Sequence, residues 1–196
     1  MGKVIVAQFV SLDGVTEDPD GSGGTPYGGW AFRNPAAVAG DKFRLGPVLD
    51  TGVMLLGRTT WQLFAGLFAR RTDDFSRKLT AMQKLVASCS LHHVDGWAHS
   101  TLLTGDLVAE VRGRRATQDV VVTGSGSVVD TLVAHDLVDQ YRLLVFPTVL
   151  GKGRKLFDAT NAPLDLRLAV SEDVDGGVLR RSTIATRGEP PCATRC

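Results

Sequence analysis

The sequence predicts an α/β protein with three layers (α/β/α), in which helices cover both faces of a mixed, mostly parallel sheet. Short runs rich in β-branched residues alternate with segments of helical period along most of the chain, which is the pattern of parallel strands joined by helices. The last two strand-like runs instead follow each other directly. Asp173-Val174-Asp175-Gly176-Gly177 separates them, and this sequence is typical of a hairpin turn between antiparallel strands.

The individual elements follow from local patterns. Apolar, β-prone runs predict strands at 4–10, 53–56, 85–88, 100–103, 119–123, 141–147, 164–170 and 178–186. Helical periodicity predicts helices that open at Asn34-Pro35, at Thr59-Thr60 and near 75, and two more at 106–115 and 127–135. The apolar face of the first of these helices consists of Val38, Phe43, Leu45 and Leu49.

Composition limits the kinds of protein that this chain could be. Its 196 residues are 43% hydrophobic and 22% charged, which is ordinary for a soluble globular protein. We expect one domain over 1–186 and a disordered tail at 187–196. A net charge of +1 without a basic run gives no electrostatic reason to expect nucleic acid as a partner. No apolar stretch reaches membrane-spanning length and no secretory cleavage signature follows Met1, so we expect a cytoplasmic protein.

Three strand ends share one chemistry. Small or hydroxyl residues follow the predicted strands in LLGRTT (55–60), VASCS (86–90) and VVTGSGS (121–127). Ligands of open α/β sheets bind beyond the carboxyl ends of the strands, where helix N-termini attract phosphates. Glycine lets a phosphate approach the backbone, and Arg58 adds a charged fork of donors. Alternatively, Gly124–Ser127 forms only a tight turn, and Ser127, Thr59 and Thr60 only cap helices.

Other candidate sites are weaker. The four histidines and three cysteines lack the spacing of a metal site, so no metal is expected. The glycine-rich segment 15–30 is too long for a passive connection and is a candidate lid. Asp13 lies next to the predicted pocket, where it could donate a proton, anchor a substrate or merely form an Asp-Gly turn. Trp30 could line the substrate pocket or belong to the core.

Five segments together resemble the dihydrofolate reductase-like superfamily, and within it the reductase domain at the C-terminal end of the bifunctional riboflavin-pathway deaminase/reductase. They are VSLDG (10–14), LLGRTTW (55–61), VTGSGS (122–127), LVDQYRL (137–143) and PTVLGKGRKLF (147–157). The resemblance implies a mostly parallel sheet with a C-terminal antiparallel hairpin, NADPH as cofactor, a small-molecule substrate and a homodimer.

The resemblance also implies roles for individual residues. The phosphates on the adenosine side would be held by Gly57, Arg58, Thr59 and Thr60, and the end that carries the 2′-phosphate would be lined by Ser88 and Ser90. The pyrophosphate would lie on Gly124, Ser125, Gly126 and Ser127. Nicotinamide and substrate would be flanked by Ser11, Asp13, Gly14, Val149, Leu150 and Gly151. The loop at 15–30 matches the position of the mobile loop that closes over the cofactor.

The chain departs from the family pattern at three places. The first strand carries Val6-Ala7-Gln8-Phe9 where riboflavin-pathway reductases have a lysine, and Cys89 stands where relatives often have arginine. Neither Asp41 nor Asp50 aligns with the carboxylate that protonates dihydrofolate. The expected activity is therefore reduction of a small heterocycle by NADPH, either of the 5-amino-6-(5-phosphoribosylamino)uracil reductase type or by a related reductase. The alternatives are dihydrofolate reductase activity, nucleotide binding without catalysis, and a hydrolase or transferase that uses the same phosphate cradle.

Overall fold

The computed structural model describes residues 1–41, 45–158, 160 and 163–186, with the side chains at 40 and 41 outside that description. The predicted disordered tail at 187–196 lies outside the described residues, as do Phe43 and the side chain of Asp41.

The described strands form a single eight-stranded sheet in the order β4-β3-β2-β5-β1-β6-β8-β7. Their bounds are Val4–Ser11 (β1), Val53–Gly57 (β2), Gln83–Ala87 (β3), Ser100–Leu103 (β4), Val120–Val122 (β5), Gln140–Phe146 (β6), Leu166–Asp175 (β7) and Val178–Ala185 (β8). Every neighbouring pair from β4 to β6 is parallel, while β8 runs antiparallel to both β6 and β7. The predicted mixed, mostly parallel sheet with a C-terminal antiparallel hairpin is confirmed.

Six helices and one 3-10 turn (Ala31–Arg33) lie within the described residues. The helices are Pro35–Asp41 (α1), Val48–Thr51 (α2), Arg58–Phe68 (α3), Asp74–Ala81 (α4), Leu107–Arg115 (α5) and Gly126–Ala134 (α6). The prediction of one helix with a single apolar face from Val38 to Leu49 is wrong, because this stretch holds two separate helices. Gly46 has a φ of 57° and Pro47 precedes α2, and both residues oppose a continuous helix.

The hairpin also differs from its prediction. Strand β7 continues to Asp175, beyond the expected end at 170, so that the turn contains only Gly176 and Gly177. Both glycines have a positive φ, of 58° and 77°, which two-residue hairpin turns of this kind require.

Alternating residues of the strands build the core on both faces of the sheet. On β1, Val4 and Val6 pack in one cluster with residues of α5 and α6, while Ile5 and Ala7 pack in another cluster with residues of α3 and α4. This alternation follows from the two-residue period of a strand. Helices therefore lie on both faces, which confirms the three-layer prediction.

Two further features concern the described residues only. None of their helices combines the length and the apolar character that crossing a membrane requires. No group of three or more histidine, cysteine or acidic side chains is arranged there to hold a metal ion.

Candidate functional site

The carboxyl ends of β2 and β5 meet at Gly57 and Gly124, and both positions require glycine. We call this place, with Thr60 and Ser125 beside it, the cradle. The amide of Gly57 donates to the carbonyl oxygen of Gly124 at 3.0 Å. A Cβ atom on Gly57 would lie 1.9 Å from the hydroxyl oxygen of Ser125, and one on Gly124 would lie 2.4 Å from the hydroxyl oxygen of Thr60. Gly124 also has a φ of 142°, and its peptide bond to Ser125 is cis. The two strand ends are thus in direct contact.

Two helix N-termini open onto this cradle without a capping side chain. Helix α3 starts after Gly57 and α6 starts after Ser125, and neither residue makes a side-chain capping bond. By contrast, Asp73 caps α4 and Asp106 caps α5 through their carboxylates. Because the first amides of a helix have no partner within it, α3 and α6 present free donors and a partial positive charge to an anion.

The hydroxyl residues of the cradle do not act as caps. Thr59 and Thr60 lie inside the first turn of α3, and Ser127 lies inside the first turn of α6. The alternative that these residues only cap helices is therefore wrong. Just before the cradle, the hydroxyl oxygen of Thr123 is buried and has no hydrogen-bond partner in the described part of the chain.

The third strand end joins this cradle through Arg58. One terminal nitrogen (Nη1) of Arg58 donates to the hydroxyl oxygen of Ser90 at 2.7 Å, and both side chains are exposed. The hydroxyl oxygen of Ser88 instead accepts from the amides of Ser90 at 3.1 Å and Leu91 at 3.0 Å. Ser88 therefore builds the turn, while Arg58 and Ser90 remain at the surface with the exposed Cys89 thiol between the serines.

Asp13 clamps two turns together. Its carboxylate accepts from the Ser11 hydroxyl at 2.7 Å and from the amides of Leu150 and Gly151 at 3.2 and 2.8 Å. The Ser11 hydroxyl in turn accepts from the Val15 amide at 2.8 Å. The turn after β1 is thereby fixed to the turn after β6.

These hydrogen bonds argue against Asp13 as a proton donor. The Ser11 hydroxyl and the two amides lower the pKa of Asp13 to about 2, because donors stabilise the charged carboxylate. The group is ionised at neutral pH and carries no proton to give. Gly14, with a φ of 90° and its amide donating to the Ser11 carbonyl at 2.9 Å, belongs to the same turn.

The assignment of Trp30 to the substrate pocket is wrong. Trp30 is fully buried, its ring lies edge-to-face against Phe146 at 5.4 Å, and its indole nitrogen donates to the Glu17 carbonyl at 2.9 Å. It belongs to the core beneath the loop. The exposed apolar side chains at this end of the sheet are instead Leu12 and Val149, at 66% and 68% exposure.

The loop at 15–30 has its own framework of hydrogen bonds. The carboxylate of Asp18 accepts from the amides of Gly23 at 2.7 Å and Thr25 at 2.9 Å, and from the Thr25 hydroxyl at 2.8 Å. The start of the loop is fixed to the segment after β6, because the Thr16 amide donates to the Arg154 carbonyl at 2.9 Å. The start of the loop thus has a fixed position beside the segment after β6, and its role as a lid stays a prediction.

Arg154 is a candidate that the site prediction did not include. Its guanidinium forms an ion pair with Asp130 on α6, and a Cβ atom on Gly126 would lie 2.6 Å from its Nε atom. The side chain therefore lies over the first turn of α6. The basic sequence Gly-Lys-Gly-Arg-Lys at 151–155 after a strand was the available signal, but contact with α6 is not visible in a local pattern.

The mostly parallel sheet with its antiparallel hairpin, together with a glycine cradle at the strand ends, defines a protein of the dihydrofolate reductase-like class. Within that class, the chain belongs to the RibD C-terminal domain family, which matches residues 2–180.

Comparisons with known proteins found several similar chains. The uncharacterized protein YyaP of Bacillus subtilis (strain 168) is 24% identical over 185 residues, which are 91% of this chain and 92% of YyaP. A Shewanella sp. PV-4 crystal structure, of a protein assigned to riboflavin biosynthesis, is similar with a TM-score of 0.74 and 21% identity over 94% of this chain and 99% of the other. A diaminohydroxyphosphoribosylaminopyrimidine deaminase/5-amino-6-(5-phosphoribosylamino)uracil reductase from Thermotoga maritima has a TM-score of 0.60 and 14% identity. This comparison covers 94% of our chain but 57% of the Thermotoga chain.

Proposed function

We propose that this chain is an NADPH-dependent reductase of a small heterocyclic substrate, of the 5-amino-6-(5-phosphoribosylamino)uracil reductase type or a closely related one. Membership of the RibD C-terminal domain family supports the reaction class. The observation that carries the proposal is the cradle of Gly57 and Gly124, where any Cβ atom would collide with Ser125 or Thr60. These glycines let the two strand ends pack closely, which places the uncapped N-termini of α3 and α6 beside each other, and such a pair of helix N-termini fits a pyrophosphate.

The residues fit a dinucleotide that extends along the strand ends. The pyrophosphate would lie on Gly124–Ser127, and Thr59 and Thr60 would add hydroxyl donors from α3. The adenosine end would reach Arg58 and Ser90, whose side chains are already joined at 2.7 Å. A guanidinium is a strong partner for a phosphate, so this pair supports a preference for the 2′-phosphate of NADPH.

The other end of the site would receive nicotinamide and substrate. When bound, the cofactor supplies the hydride, and the protein has to orient the two reactants. The Leu12 amide donates to the Thr148 carbonyl at 2.9 Å, and the Asp13 carboxylate holds Leu150 and Gly151. These bonds fix two turns against each other. The exposed Leu12 and Val149 would offer apolar contact to a flat heterocycle.

Dihydrofolate reductase activity has less support. Asp50, one of two candidate proton-donating carboxylates, is exposed and pairs with the Lys78 ammonium on α4 at 2.9 Å. This surface ion pair gives Asp50 a structural role outside the cradle. The other candidate, Asp41, has its side chain outside the described residues.

Binding measurements can test the proposal. Quenching of the intrinsic tryptophans should give tighter binding for NADPH than for NADH or AMP, and oxidation of NADPH should require a heterocyclic substrate. Arg58→Ala should weaken NADPH binding much more than NADH binding, whereas Arg112→Ala, which removes an exposed charge from α5, should change neither. If the chain binds NADPH no more tightly than AMP, the reductase proposal fails. If NADPH binds but no substrate is reduced, nucleotide binding without catalysis is the better description.

A further inference from the structure

We propose that the Arg154 guanidinium is a further ligand of the cofactor's pyrophosphate, positioned over the first turn of α6 by its ion pair with Asp130. This inference rests on the proposed function, because it names a residue of the same binding site. Arg154 belongs to none of the three glycine and hydroxyl segments from which the site was predicted.

The position of the side chain is the first argument. A Cβ atom on Gly126 would lie 2.6 Å from Nε, 2.8 Å from Cδ and 3.0 Å from Cζ of Arg154. The absence of a side chain at Gly126 therefore lets the guanidinium lie directly on the helix surface. Asp130, one turn further along α6, pairs with a terminal nitrogen of the same group. Arg154 thus extends along α6 from its first residue to its second turn.

The charges at this place are the second argument. A guanidinium and the N-terminus of a helix are both positive, and their juxtaposition is unfavourable unless an anion accompanies them. Asp130 supplies one carboxylate and, among the described residues, is the only partner of the guanidinium. Since arginine carries five N–H donors, further donors remain for a ligand beside the amides of α6. A pyrophosphate matches both sets of donors.

The main chain of Arg154 is the third argument, because it fixes the root of the side chain. The Arg154 amide donates to the Glu17 carboxylate at 3.2 Å, and its carbonyl accepts from the Thr16 amide at 2.9 Å. Tyr27 donates its hydroxyl to the same carboxylate at 2.6 Å. Arg154 is therefore held by the loop at 15–30 on one side and by Asp130 on the other. A side chain fixed in this way loses less conformational freedom when a phosphate binds.

Three ligands that contain different phosphates test this inference. NADPH carries the pyrophosphate and the 2′-phosphate, ADP carries only a diphosphate, and adenosine 2′-monophosphate carries only the 2′-phosphate. For Arg154→Met we expect binding of NADPH and ADP to weaken by about 10-fold or more, which is the loss typical of a charge-assisted hydrogen bond. Adenosine 2′-monophosphate should bind as it does to the unmodified chain. Arg58→Met should give the reverse pattern, weakening adenosine 2′-monophosphate and leaving ADP nearly unchanged.

Arg112→Met is the matched control for loss of one positive charge. Arg112 is exposed near the end of α5, and that end lies beside the start of β1, because the Gly2 amide donates to the Arg115 carbonyl at 2.8 Å. It is therefore at the amino edge of the sheet, and all three affinities should stay the same. Arg154→Lys keeps the charge and should recover part of the affinity for ADP.

Two results would overturn the inference while leaving the proposed function intact. One is an Arg154→Met variant that binds NADPH and ADP as tightly as the unmodified chain. The other is an equal loss for all three ligands, which would indicate a general disturbance of the fold. If the unmodified chain binds none of the three ligands, the proposed function itself fails, and this inference fails with it.

Discussion

Replacing Gly57 by alanine should disrupt the contact between β2 and β5 through packing alone. The backbone at Gly57 has φ −78° and ψ 163°, a conformation that alanine adopts without strain. The added methyl group, however, would lie 1.9 Å from Oγ and 2.9 Å from Cβ of Ser125, and 3.0 Å from its backbone nitrogen. No pair of heavy atoms can remain at the first of these distances, so one strand end has to move.

The size of the effect follows from these three contacts. Overpacking a close-packed site typically costs 1–3 kcal/mol, and we expect about 2 kcal/mol for Gly57→Ala. For a chain of this length, that loss lowers the melting temperature by about 4–8 °C. In Gly57→Ala/Ser125→Gly, both side-chain contacts disappear and only the 3.0 Å approach to the backbone nitrogen is left. The double variant should therefore recover more than half of the lost stability.

Thermal unfolding of four proteins tests this reasoning: the unmodified chain, Gly57→Ala, the double variant, and Gly66→Ala. Gly66 lies on α3, and a Cβ atom there would meet nothing within 4 Å. Since alanine favours helix over glycine, Gly66→Ala should stabilise the fold by about 0.5–1 kcal/mol. An unchanged melting temperature for Gly57→Ala, or a double variant no more stable than Gly57→Ala alone, would refute the steric account.

Three further predictions concern other parts of the molecule. The pKa of Asp13 is lowered to about 2 from 3.8, so its ionised form stabilises the fold above pH 3.8 and this contribution is lost as the pH falls towards 2. After allowance for solvent screening, this contribution is about 1 kcal/mol. In an acid titration, the free energy of unfolding of Asp13→Asn should therefore fall by about 1 kcal/mol less than that of the unmodified chain. Lys84 is buried, and its ammonium donates to three carbonyls, at 2.9, 2.6 and 2.9 Å. Urea unfolding at neutral pH should therefore give Lys84→Met a free energy of unfolding about 2 kcal/mol lower than that of the unmodified chain. Burial lowers the pKa of Lys84 to about 8 from 10.5, so between these values the unfolded chain binds more protons and the folded chain gains stability with rising pH. The difference in free energy of unfolding between the unmodified chain and Lys84→Met should therefore grow as the pH rises between these two values. A constant difference would contradict the lowered pKa of Lys84. At the sheet edge, Leu168 on β7 is 53% exposed, and an exposed apolar edge strand is a template for pairing. We propose that Leu168 lies in the interface of a homodimer. Light scattering should then find a dimer that Leu168→Lys converts to a monomer. A monomeric unmodified chain would refute this proposal.

Local sequence patterns predicted the fold well, because its elements depend on short segments. Strand, glycine and helix start lie within a few residues of one another at Gly57 and at Gly124–Ser127. Parallel strands then bring such segments to one edge of the sheet without further information. The break between α1 and α2 was also encoded locally, in Gly46-Pro47, but the apolar spacing around it concealed the signal.

The parts of the site that were missed depend on contacts between distant segments. Arg154 reaches Gly126 and Asp130 across the sheet end, and no periodic pattern records such a contact. Trp30 was misplaced for the related reason that an aromatic residue in a loop looks the same whether it lines a pocket or lies beneath it. For Asp13, the Asp-Gly turn signal was correct, whereas its low pKa depends on the Ser11 hydroxyl and, in addition, on the amides of the turn after β6.

The two ends of the proposed site differ in how they are built, and this difference explains why the sequence indicates a cofactor more readily than a substrate. At the cradle, cofactor recognition would depend on the N-termini of α3 and α6 and on Arg58, and these features follow from short sequence segments. At the other end, the polar atoms of Ser11 and Asp13 already bond to each other and to neighbouring amides. What faces outward there is the apolar surface of Leu12 and Val149. Apolar contact discriminates poorly between heterocycles of similar size, so substrate choice has to depend on the shape that the two turns form, which no motif specifies.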